Sequence, residues 1–166
     1  MVSFDLKDRI AIVTGASRGI GRAIAETLAE YGAEAVLVSR NQKNLETVAA
    51  GIRDKGGRAT AMACNMGDLD AIGALYEKIG ETWGRLDILV NNAATNPFFG
   101  ELAVIDEGAW QKTVDVNLKG PFFMIQKAIP LMKAAGKAAV VNVSSVNGIQ
   151  PAAFQGVYSI TKGALI

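Results

Sequence analysis

The sequence predicts an α/β fold, a doubly wound parallel sheet covered by helices on both faces. Short apolar runs rich in β-branched residues alternate along the chain with segments of helical periodicity. A glycine-rich stretch at residues 14–21 follows the first run, at the strand-to-helix turn where such folds bind ligands. Right-handed crossovers place the ligand crevice at the carboxyl ends of the strands. Because the chain has 166 residues, half of them apolar, we expect one domain over residues 1–166.

The predicted elements follow one another in regular order. Five apolar runs are expected to form the strands, at residues 10–13, 35–38, 60–63, 86–90 and 140–143. Segments with helical periodicity lie between them, near residues 20–31, 41–55, 68–83 and 106–134.

Local signals support the helix limits. Asp68 and Asp106 can cap the starts of two helices through their carboxylate oxygens. Glycines stand where helices should end, at Gly32, Gly56 and Gly84. The last long helix should bend or divide at residues 119–121, because Pro121 has no amide hydrogen to donate.

Charge and composition exclude several classes of protein. Seventeen basic and sixteen acidic residues give a net charge of +1, without a basic run that would bind nucleic acid or an anionic membrane. The chain contains no histidine, which excludes a Ser-His-Asp triad and most zinc sites, so we expect no metal. The expected partners are small molecules or other copies of the chain.

Cysteine usage and the amino-terminal segment indicate the compartment. The single cysteine, Cys64, lies in an apolar run and is interpreted as a reduced core residue. The segment VSFDLKDRIAIV lacks the features of a secretory signal, and no apolar stretch approaches the length of a membrane span. We therefore expect a cytoplasmic protein.

The stretch TGASRGIG at residues 14–21 is a candidate phosphate-binding turn. Gly15, Gly19 and Gly21 let the backbone turn tightly and approach a pyrophosphate at the helix N-terminus. Their spacing, G-x-x-x-G-x-G, differs from the G-x-G-x-x-G of longer dehydrogenases. On this motif alone, a glycine-rich turn without a ligand remains an equal alternative.

Two arginines indicate which dinucleotide would bind. Arg18 precedes the second glycine, and Arg40 follows the second strand, next to Ser39 at the place where an acidic residue would contact a ribose 2′-hydroxyl. A guanidinium can bind a 2′-phosphate through paired hydrogen bonds, which favours NADP(H) over NAD(H). The alternative is a pair of solvated surface arginines.

Tyr158 and Lys162 stand four residues apart, so one helical turn brings a phenol and an ammonium side by side. They follow the serine pair Ser144-Ser145. Together with the glycine turn, this combination indicates redox chemistry on a carbinol.

Several motifs in this order resemble those of the short-chain dehydrogenase/reductase family. They are TGASRGIG at 14–21, NNAA at 91–94, Asn117 in DVNLKG, Ser145 in VVNVSSVNG, and Tyr158 with Lys162 in YSITK. The likeness runs from about residue 7 to the last residue. It implies a Rossmann-type fold, a nicotinamide dinucleotide, and reversible oxidoreduction between alcohol and ketone.

The resemblance also implies roles for four residues. Tyr158 resembles the general acid that protonates the carbonyl oxygen, and Lys162 resembles the cation that assists it and binds the nicotinamide ribose. Ser145, thirteen residues before Tyr158, resembles the serine that binds the carbonyl oxygen, and we prefer it to Ser144. Asn117 resembles the asparagine that holds a water linking Lys162 to solvent. The alternative for Asn117 is a buried amide that satisfies backbone groups where the helix bends.

Cofactor contacts are implied in the same way. Asn65 and Met66 end the third strand, where the family usually has Asp-Val contacting adenine. Asn92 and Ala93 belong to a segment that resembles the family's NNAG, with Ala94 in place of the glycine. The expected cofactor-binding residues are Gly15, Ser17, Arg18, Gly19, Ile20, Gly21, Arg40, Asn65, Met66, Asn92, Ala93, Tyr158 and Lys162.

Other conspicuous residues receive structural interpretations. We interpret Asp87 as an orienting or solvated carboxylate at the start of the fourth strand. Trp83, Trp110 and the pairs 98–99 and 122–123 are expected to pack in the core or an interface rather than stack on bases. A second possibility for Phe98 and Phe99 is that they line the substrate entrance.

The resemblance ends four residues past Lys162, so we expect the chain to lack the C-terminal strands and the substrate loop of the family. Residues 140–143 would then form an edge strand with exposed apolar side chains. Two functions follow. One is an oxidoreductase that transfers a hydride between NADP(H) and a ketone, aldehyde or secondary alcohol. The other is a non-catalytic nucleotide-binding or assembly module. The family implies a homodimer or homotetramer for a full-length form.

Overall fold

A computed structural model describes residues 4–166, so residues 1–3, which include the first two residues of the segment VSFDLKDRIAIV, lie outside the described residues. Five parallel strands form one sheet in the order β3-β2-β1-β4-β5. The strands are β1 (Ile10–Thr14), β2 (Glu34–Ser39), β3 (Arg58–Ala63), β4 (Ile88–Asn91) and β5 (Ala139–Asn142). This order confirms the predicted doubly wound Rossmann-type sheet, because the chain winds outward in both directions from β1.

The helices occupy the segments between the strands, as predicted. They are α1 (Gly19–Glu30), α2 (Gln42–Asp54), α3 (Leu69–Trp83), α4 (Glu107–Val114), α5 (Gly120–Ala135) and α6 (Gly156–Ala164). The predicted caps are present, since the carboxylate of Asp68 accepts hydrogen bonds at the start of α3 and that of Asp106 does so at the start of α4.

The long helix predicted near residues 106–134 is divided in the structure, as the sequence at residues 119–121 indicated. A π-helical segment, Asp115–Lys119, separates α4 from α5, and the amide of Gly120 donates to the carbonyl of Asp115, five residues back. Pro121 follows directly in the first turn of α5. Because proline cannot donate to the helical ladder, the wider turn immediately before it accommodates the missing bond.

The core lies on both faces of the three central strands. Successive strand residues point to opposite faces, so Ile12 and Leu89 pack towards α3 and α5, whereas Val13 and Leu37 pack towards α1 and α2. Burial on both faces explains why these strands are continuous apolar runs in the sequence. Trp83 also packs against the cluster that contains Ile12, as expected for a core aromatic residue.

The two edges of the sheet are finished differently. At β3, the carbonyls of Ala59 and Ala61 accept hydrogen bonds from Arg53 (2.9 Å) and Gln42 (3.0 Å) of α2. At the other edge, all four residues of β5 are exposed, including valines at 140 and 141. The exposed apolar edge expected at residues 140–143 is therefore present in this chain.

Asp87 is an orienting carboxylate, the first of its two interpretations, and it is buried rather than solvated. It accepts hydrogen bonds from Arg9 (2.8 Å), Arg85 (2.6 Å) and the amide of Ile10 (3.0 Å). Burial by itself would raise the pKa of Asp87, but these hydrogen bonds and the adjacent guanidinium hold it below the ordinary value. Asp87 thus links the start of β1 to the segment before β4. This link lies at the amino ends of the strands, opposite the carboxyl ends where the ligand crevice is predicted.

Phe99 and Phe122 lie largely in solvent, exposed by 68% and 62%, and Trp110 is 41% exposed, so none of the three packs in the core of this chain. Their packing in an interface stays a prediction. Their ring contacts are with nearby aromatic residues, Phe99 with Phe154 and Phe122 with Phe123. Within residues 4–166, no helix is both long enough and apolar enough to cross a membrane.

Candidate active site

A cleft of about 820 Å³ opens at the carboxyl ends of β1 to β4. It lies where the strand order reverses on either side of β1, the usual ligand crevice of such sheets. Eleven of the predicted cofactor-binding residues line it. They are Gly15, Ser17, Arg18, Gly19, Ile20, Gly21, Arg40, Asn65, Met66, Asn92 and Ala93.

The turn between β1 and α1 has the shape that a phosphate site requires. Gly15 has a φ of +68°, and a Cβ on Gly21 would collide with the side chain of Asn92 and lie 2.5 Å from the carbonyl oxygen of Gly15. Only glycine permits that approach. Arg18 occupies the N-cap of α1 without a side-chain hydrogen bond to the first turn, which leaves its amides available to an anion.

Thr14 is a structural residue of the cleft that the sequence analysis missed. Its hydroxyl oxygen accepts hydrogen bonds from the amides of Asn92 (2.9 Å) and Ala93 (3.0 Å), and its carbonyl accepts from the Asn92 side chain (2.8 Å). These bonds hold the segment after β4 against the glycine turn. The available signal was its position as the first residue of TGASRGIG, directly before Gly15.

The charge of the cleft is one-sided. Arg18, Arg40 and Lys112 line it, and the lining residues that the structure describes include no carboxylate. The hydroxyl of Ser39, beside Arg40, is buried without a hydrogen-bond partner within the described chain. Lining residues that the sequence analysis did not assign to the cofactor are Ser39, Asn41, Asn44, Cys64, Ala94, Thr95, Lys112 and Val116. Lys112 lies on α4 and Val116 lies in the π-helical segment that follows it. Both line the cleft only because the folded chain passes along it, which no local sequence pattern predicts.

The substitutions relative to the family pattern fit this backbone. Ala94 replaces the glycine of NNAG, and it is not among the described non-glycine residues with positive φ, so its Cβ causes no strain there. After β3, the side chain of Asn65 accepts a hydrogen bond from the amide of Gly67 (3.2 Å).

Cys64 is a buried free thiol, which confirms its interpretation as a core residue. Burial, and secondarily the charge of Asp68, raises the pKa of Cys64 to about 11.

Tyr158 and Lys162 lie together on α6, outside the residues that line the cleft. The ammonium of Lys162 is 5.8 Å from the centre of the Tyr158 ring. It donates a 2.7 Å hydrogen bond to the carbonyl of Val143, directly after β5, and only 2% of the residue is exposed. Burial lowers the pKa of Lys162, since the charged form loses hydration.

Asn117 connects the cleft to α6. Its side chain accepts from the amide of Thr95 (2.7 Å) and donates to the carbonyl of Thr95 (2.8 Å) and the hydroxyl of Thr161 (3.2 Å). The Thr161 hydroxyl in turn donates to the carbonyl of Tyr158 (2.8 Å). Asn117 therefore satisfies backbone groups beside the π-helical segment, as its alternative interpretation predicted. Its role towards a water molecule stays a prediction.

The structure separates the two adjacent serines. The Ser145 hydroxyl accepts from the amide of Asn147 (3.2 Å) and caps a short turn, Val146–Gly148. The Ser144 hydroxyl instead donates to the carbonyl of Lys162 (2.7 Å). Because Ser145 is an acceptor in this bond, its hydroxyl hydrogen stays available to donate to a substrate oxygen.

A parallel sheet with a glycine turn and a cationic cleft at its carboxyl edge defines a Rossmann-type fold of the nucleotide-binding class. The family model described as short chain dehydrogenase matches residues 9–166. The chain therefore belongs to the short-chain dehydrogenase family.

Individual relatives agree with this assignment. The dehydrogenase/reductase SDR family member 4 of Pongo abelii is 38% identical over 161 residues. The match covers 97% of this chain and 58% of that protein, so the chain spans well under two thirds of the curated relative's length.

Solved structures show the same backbone. A metagenomic short-chain oxidoreductase in complex with NADP is 39% identical with a TM-score of 0.93, and the match covers 96% of this chain and 72% of that one. The L-sorbose reductase of Gluconobacter frateurii, complexed with NADPH and L-sorbose, is 30% identical with a TM-score of 0.94. That match covers 99% of this chain and 62% of the reductase.

Proposed function

We propose that this chain binds NADP(H) and belongs to an oxidoreductase that transfers a hydride between this cofactor and a ketone, aldehyde or secondary alcohol. The observation that carries the proposal is the cleft with three cations and no carboxylate among its described lining residues. The ammonium of Lys162, on α6, donates a hydrogen bond to the carbonyl of Val143, just past the carboxyl end of β5. Family membership and relatives crystallised with NADP or NADPH support the assignment.

The residues of the cleft fit a phosphorylated dinucleotide. The uncapped start of α1 and the close approach at Gly21 suit a pyrophosphate, which needs backbone amides and a near surface without side chains. Arg40 suits a 2′-phosphate, because its guanidinium donors match the acceptor oxygens of that group. Asn65 and Met66 would hold the adenine. When bound, the nicotinamide supplies or accepts the hydride.

The chain's own residues would manage the proton and the carbonyl oxygen. In reduction, the substrate carbon gains a hydride and its oxygen gains the Tyr158 phenolic proton, so that the C=O bond becomes CH–OH. Ser145 would donate a hydrogen bond to the same oxygen. The neighbouring ammonium of Lys162 stabilises the phenolate that Tyr158 becomes. In oxidation of an alcohol, the phenolate accepts the proton instead.

Replacing Tyr158 by phenylalanine tests this function. The substitution removes the proton donor and leaves the ring, so turnover should fall about 10²–10⁴-fold, the usual contribution of general acid–base catalysis. Binding of NADPH, followed by its fluorescence, should persist. Turnover is followed by NADPH absorbance with a panel of diketones, 3-oxoacyl thioesters and sugars.

Tyr31→Phe provides the matched control, because Tyr31 is an exposed tyrosine at the end of α1. This variant should retain both binding and turnover. Undiminished turnover in Tyr158→Phe would overturn the assigned acid. Failure of the parent chain to bind NADPH would overturn the cofactor.

A second candidate is a nucleotide-binding or assembly module without turnover. One observation favours it: the cleft lining includes none of Asn117, Ser145, Tyr158 or Lys162. Binding of NADPH without its oxidation by any substrate in the panel would support this candidate.

We also infer a cytoplasmic location and a homodimer or homotetramer for the full-length form. The exposed apolar side chain of Phe122, on α5, supports the oligomer, because it would leave water in an interface.

A further inference from the structure

We propose that Ser144 is a positioning residue that holds Lys162 in place, while its neighbour Ser145 is the serine that contacts substrate. The proposal rests on the proposed function, because it concerns how the ammonium of Lys162 is kept beside Tyr158. It assigns Ser144 no contact with substrate or cofactor.

The evidence is a reciprocal pair of hydrogen bonds between α6 and the end of β5. The ammonium of Lys162 donates to the carbonyl of Val143, at 2.7 Å. The hydroxyl of Ser144, the next residue, donates to the carbonyl of Lys162, also at 2.7 Å. Two consecutive residues therefore bind the two ends of one lysine, its side-chain nitrogen and its main-chain oxygen.

Close packing of the backbone reinforces the pair. A Cβ on Gly148 would lie 2.7 Å from the carbonyl oxygen of Lys162, and a Cβ on Gly163 would lie 3.2 Å from the carbonyl oxygen of Gly148. The turn that follows Ser145 thus lies directly against the peptide after Lys162. Because such contact leaves no room for a side chain, Gly148 keeps Ser144 within bonding distance of α6.

A lysine in this role needs external restraint. Its four-carbon side chain has large rotamer freedom, and Lys162 has no carboxylate partner among the described residues to orient it. Burial also disfavours its charged form, so the carbonyl of Val143 must face the ammonium to compensate. The Ser144 bond sets the backbone of α6 at the height where that contact forms. Ser145 bonds within its own turn, and it does not restrain Lys162 directly.

The test is the chemical reactivity of Lys162 in the full chain, measured by reductive methylation with formaldehyde and borohydride and read by peptide mass spectrometry. Exposed Lys43 is the internal reference. In Ser144→Ala, methylation of Lys162 relative to Lys43 should rise about tenfold, a factor within the range of one net hydrogen bond. Gly148→Ala should act likewise, since its methyl group pushes the turn away from α6.

Two further variants separate positioning from a general structural role. Ser144→Thr keeps a hydroxyl and should restore protection of Lys162, whereas Ser145→Ala should leave protection as in the parent chain. Unchanged methylation of Lys162 in Ser144→Ala overturns the proposal. An equal rise at every lysine, with a lowered melting temperature, also overturns it, because the effect is then global loosening.

Measurements of turnover and of NADPH binding test the proposed function separately from the positioning contact. If the chain turns over a substrate, Ser144→Ala should lower kcat and raise the apparent Kd for NADPH, and Ser144→Thr should recover both. If the parent chain shows no turnover while Lys162 stays protected in a Ser144-dependent manner, the proposed function fails and the positioning contact stands.

Discussion

At the scale of single residues, we propose that Arg40, at the end of a strand, selects the cofactor. It follows β2, lines the cleft beside the unpartnered hydroxyl of Ser39, and directly precedes Asn41, the N-cap of α2. A guanidinium there offers paired donors to a phosphate, whereas a carboxylate would repel it and accept hydrogen bonds from ribose hydroxyls. We therefore expect the residue at this position to favour NADP(H) over NAD(H).

We expect Arg40→Asp to lower the affinity for NADPH about 10–100-fold, the effect of losing a charge-assisted hydrogen bond, while affinity for NADH holds or rises. Titration of cofactor fluorescence measures both dissociation constants. Lys127→Asp makes the same change of charge at an exposed site on α5 and should leave their ratio intact. An unchanged NADPH to NADH ratio in Arg40→Asp would remove the 2′-phosphate assignment.

At the scale of elements, the Asp87 side chain joins the start of β1 to the segment before β4. Four donor groups from Arg9, Arg85 and the Ile10 amide converge on a carboxylate that is 2% exposed. Arg9 and Arg85 remain 39% and 38% exposed, so solvent weakens the ion pairs and the hydrogen bonds dominate.

We expect Asp87→Asn to lower the free energy of unfolding by about 2 kcal/mol at neutral pH, since hydrogen bonds to a charged group are lost. The folded-state pKa of Asp87 is lowered, so its contribution is complete above the unfolded pKa and is lost as pH falls through the folded one. The difference between parent and variant should therefore shrink below about pH 4. Urea denaturation at several pH values measures it. Asp54→Asn, at the exposed end of α2, should show no such difference.

The π-helical segment shows how an element break serves the site. It places Asn117 at a wide turn where the side chain bonds both backbone groups of Thr95 and the hydroxyl of Thr161. In a regular α-helix through Pro121, the side chain of Asn117 would point away from these partners. Without the extra residue of the wide turn, each side chain before it would be rotated by about 100° around the helix axis relative to α5. The break thus links the cleft, α5 and α6.

At the scale of the whole molecule, the sheet has one protected and one open edge. Side chains of α2 cover carbonyls of β3, while β5 exposes Val140 and Val141 by 38% and 49%. Exposed apolar edges recruit other strands, and charged residues on an edge prevent this pairing. We therefore expect this chain to associate with itself through β5.

We expect Val141→Lys to reduce this association, because an ammonium on the edge strand would have to be desolvated in the pairing. Light scattering over a range of concentrations measures the average mass. For the parent it should rise above 17.4 kDa with concentration. Val104→Lys, the same change at an exposed valine away from the sheet, should associate like the parent. A parent chain that stays at the monomer mass throughout would contradict the role of β5.

Much of this molecule was predictable because its signals are local. The strand runs, the helix caps Asp68 and Asp106, and the glycine turn each depend on residues within one or two helical turns of each other. Eleven predicted cofactor residues line one cleft because parallel strands bring their carboxyl ends to a single edge. The orienting role of Asp87 was predicted, but its burial was not, because two of its donors, Arg9 and Ile10, are distant in sequence.

The sequence by itself determined the alternation of strands and helices, the position of the glycine turn and the proximity of Tyr158 to Lys162. These follow from backbone periodicity and from the conformational freedom of glycine. The tertiary structure alone decided that Lys112 faces the cleft, that Thr14 binds the segment after β4, and that Ser144 rather than Ser145 bonds to Lys162. The physical reason is that long-range packing, which no local pattern encodes, sets which hydrogen-bonding groups face each other.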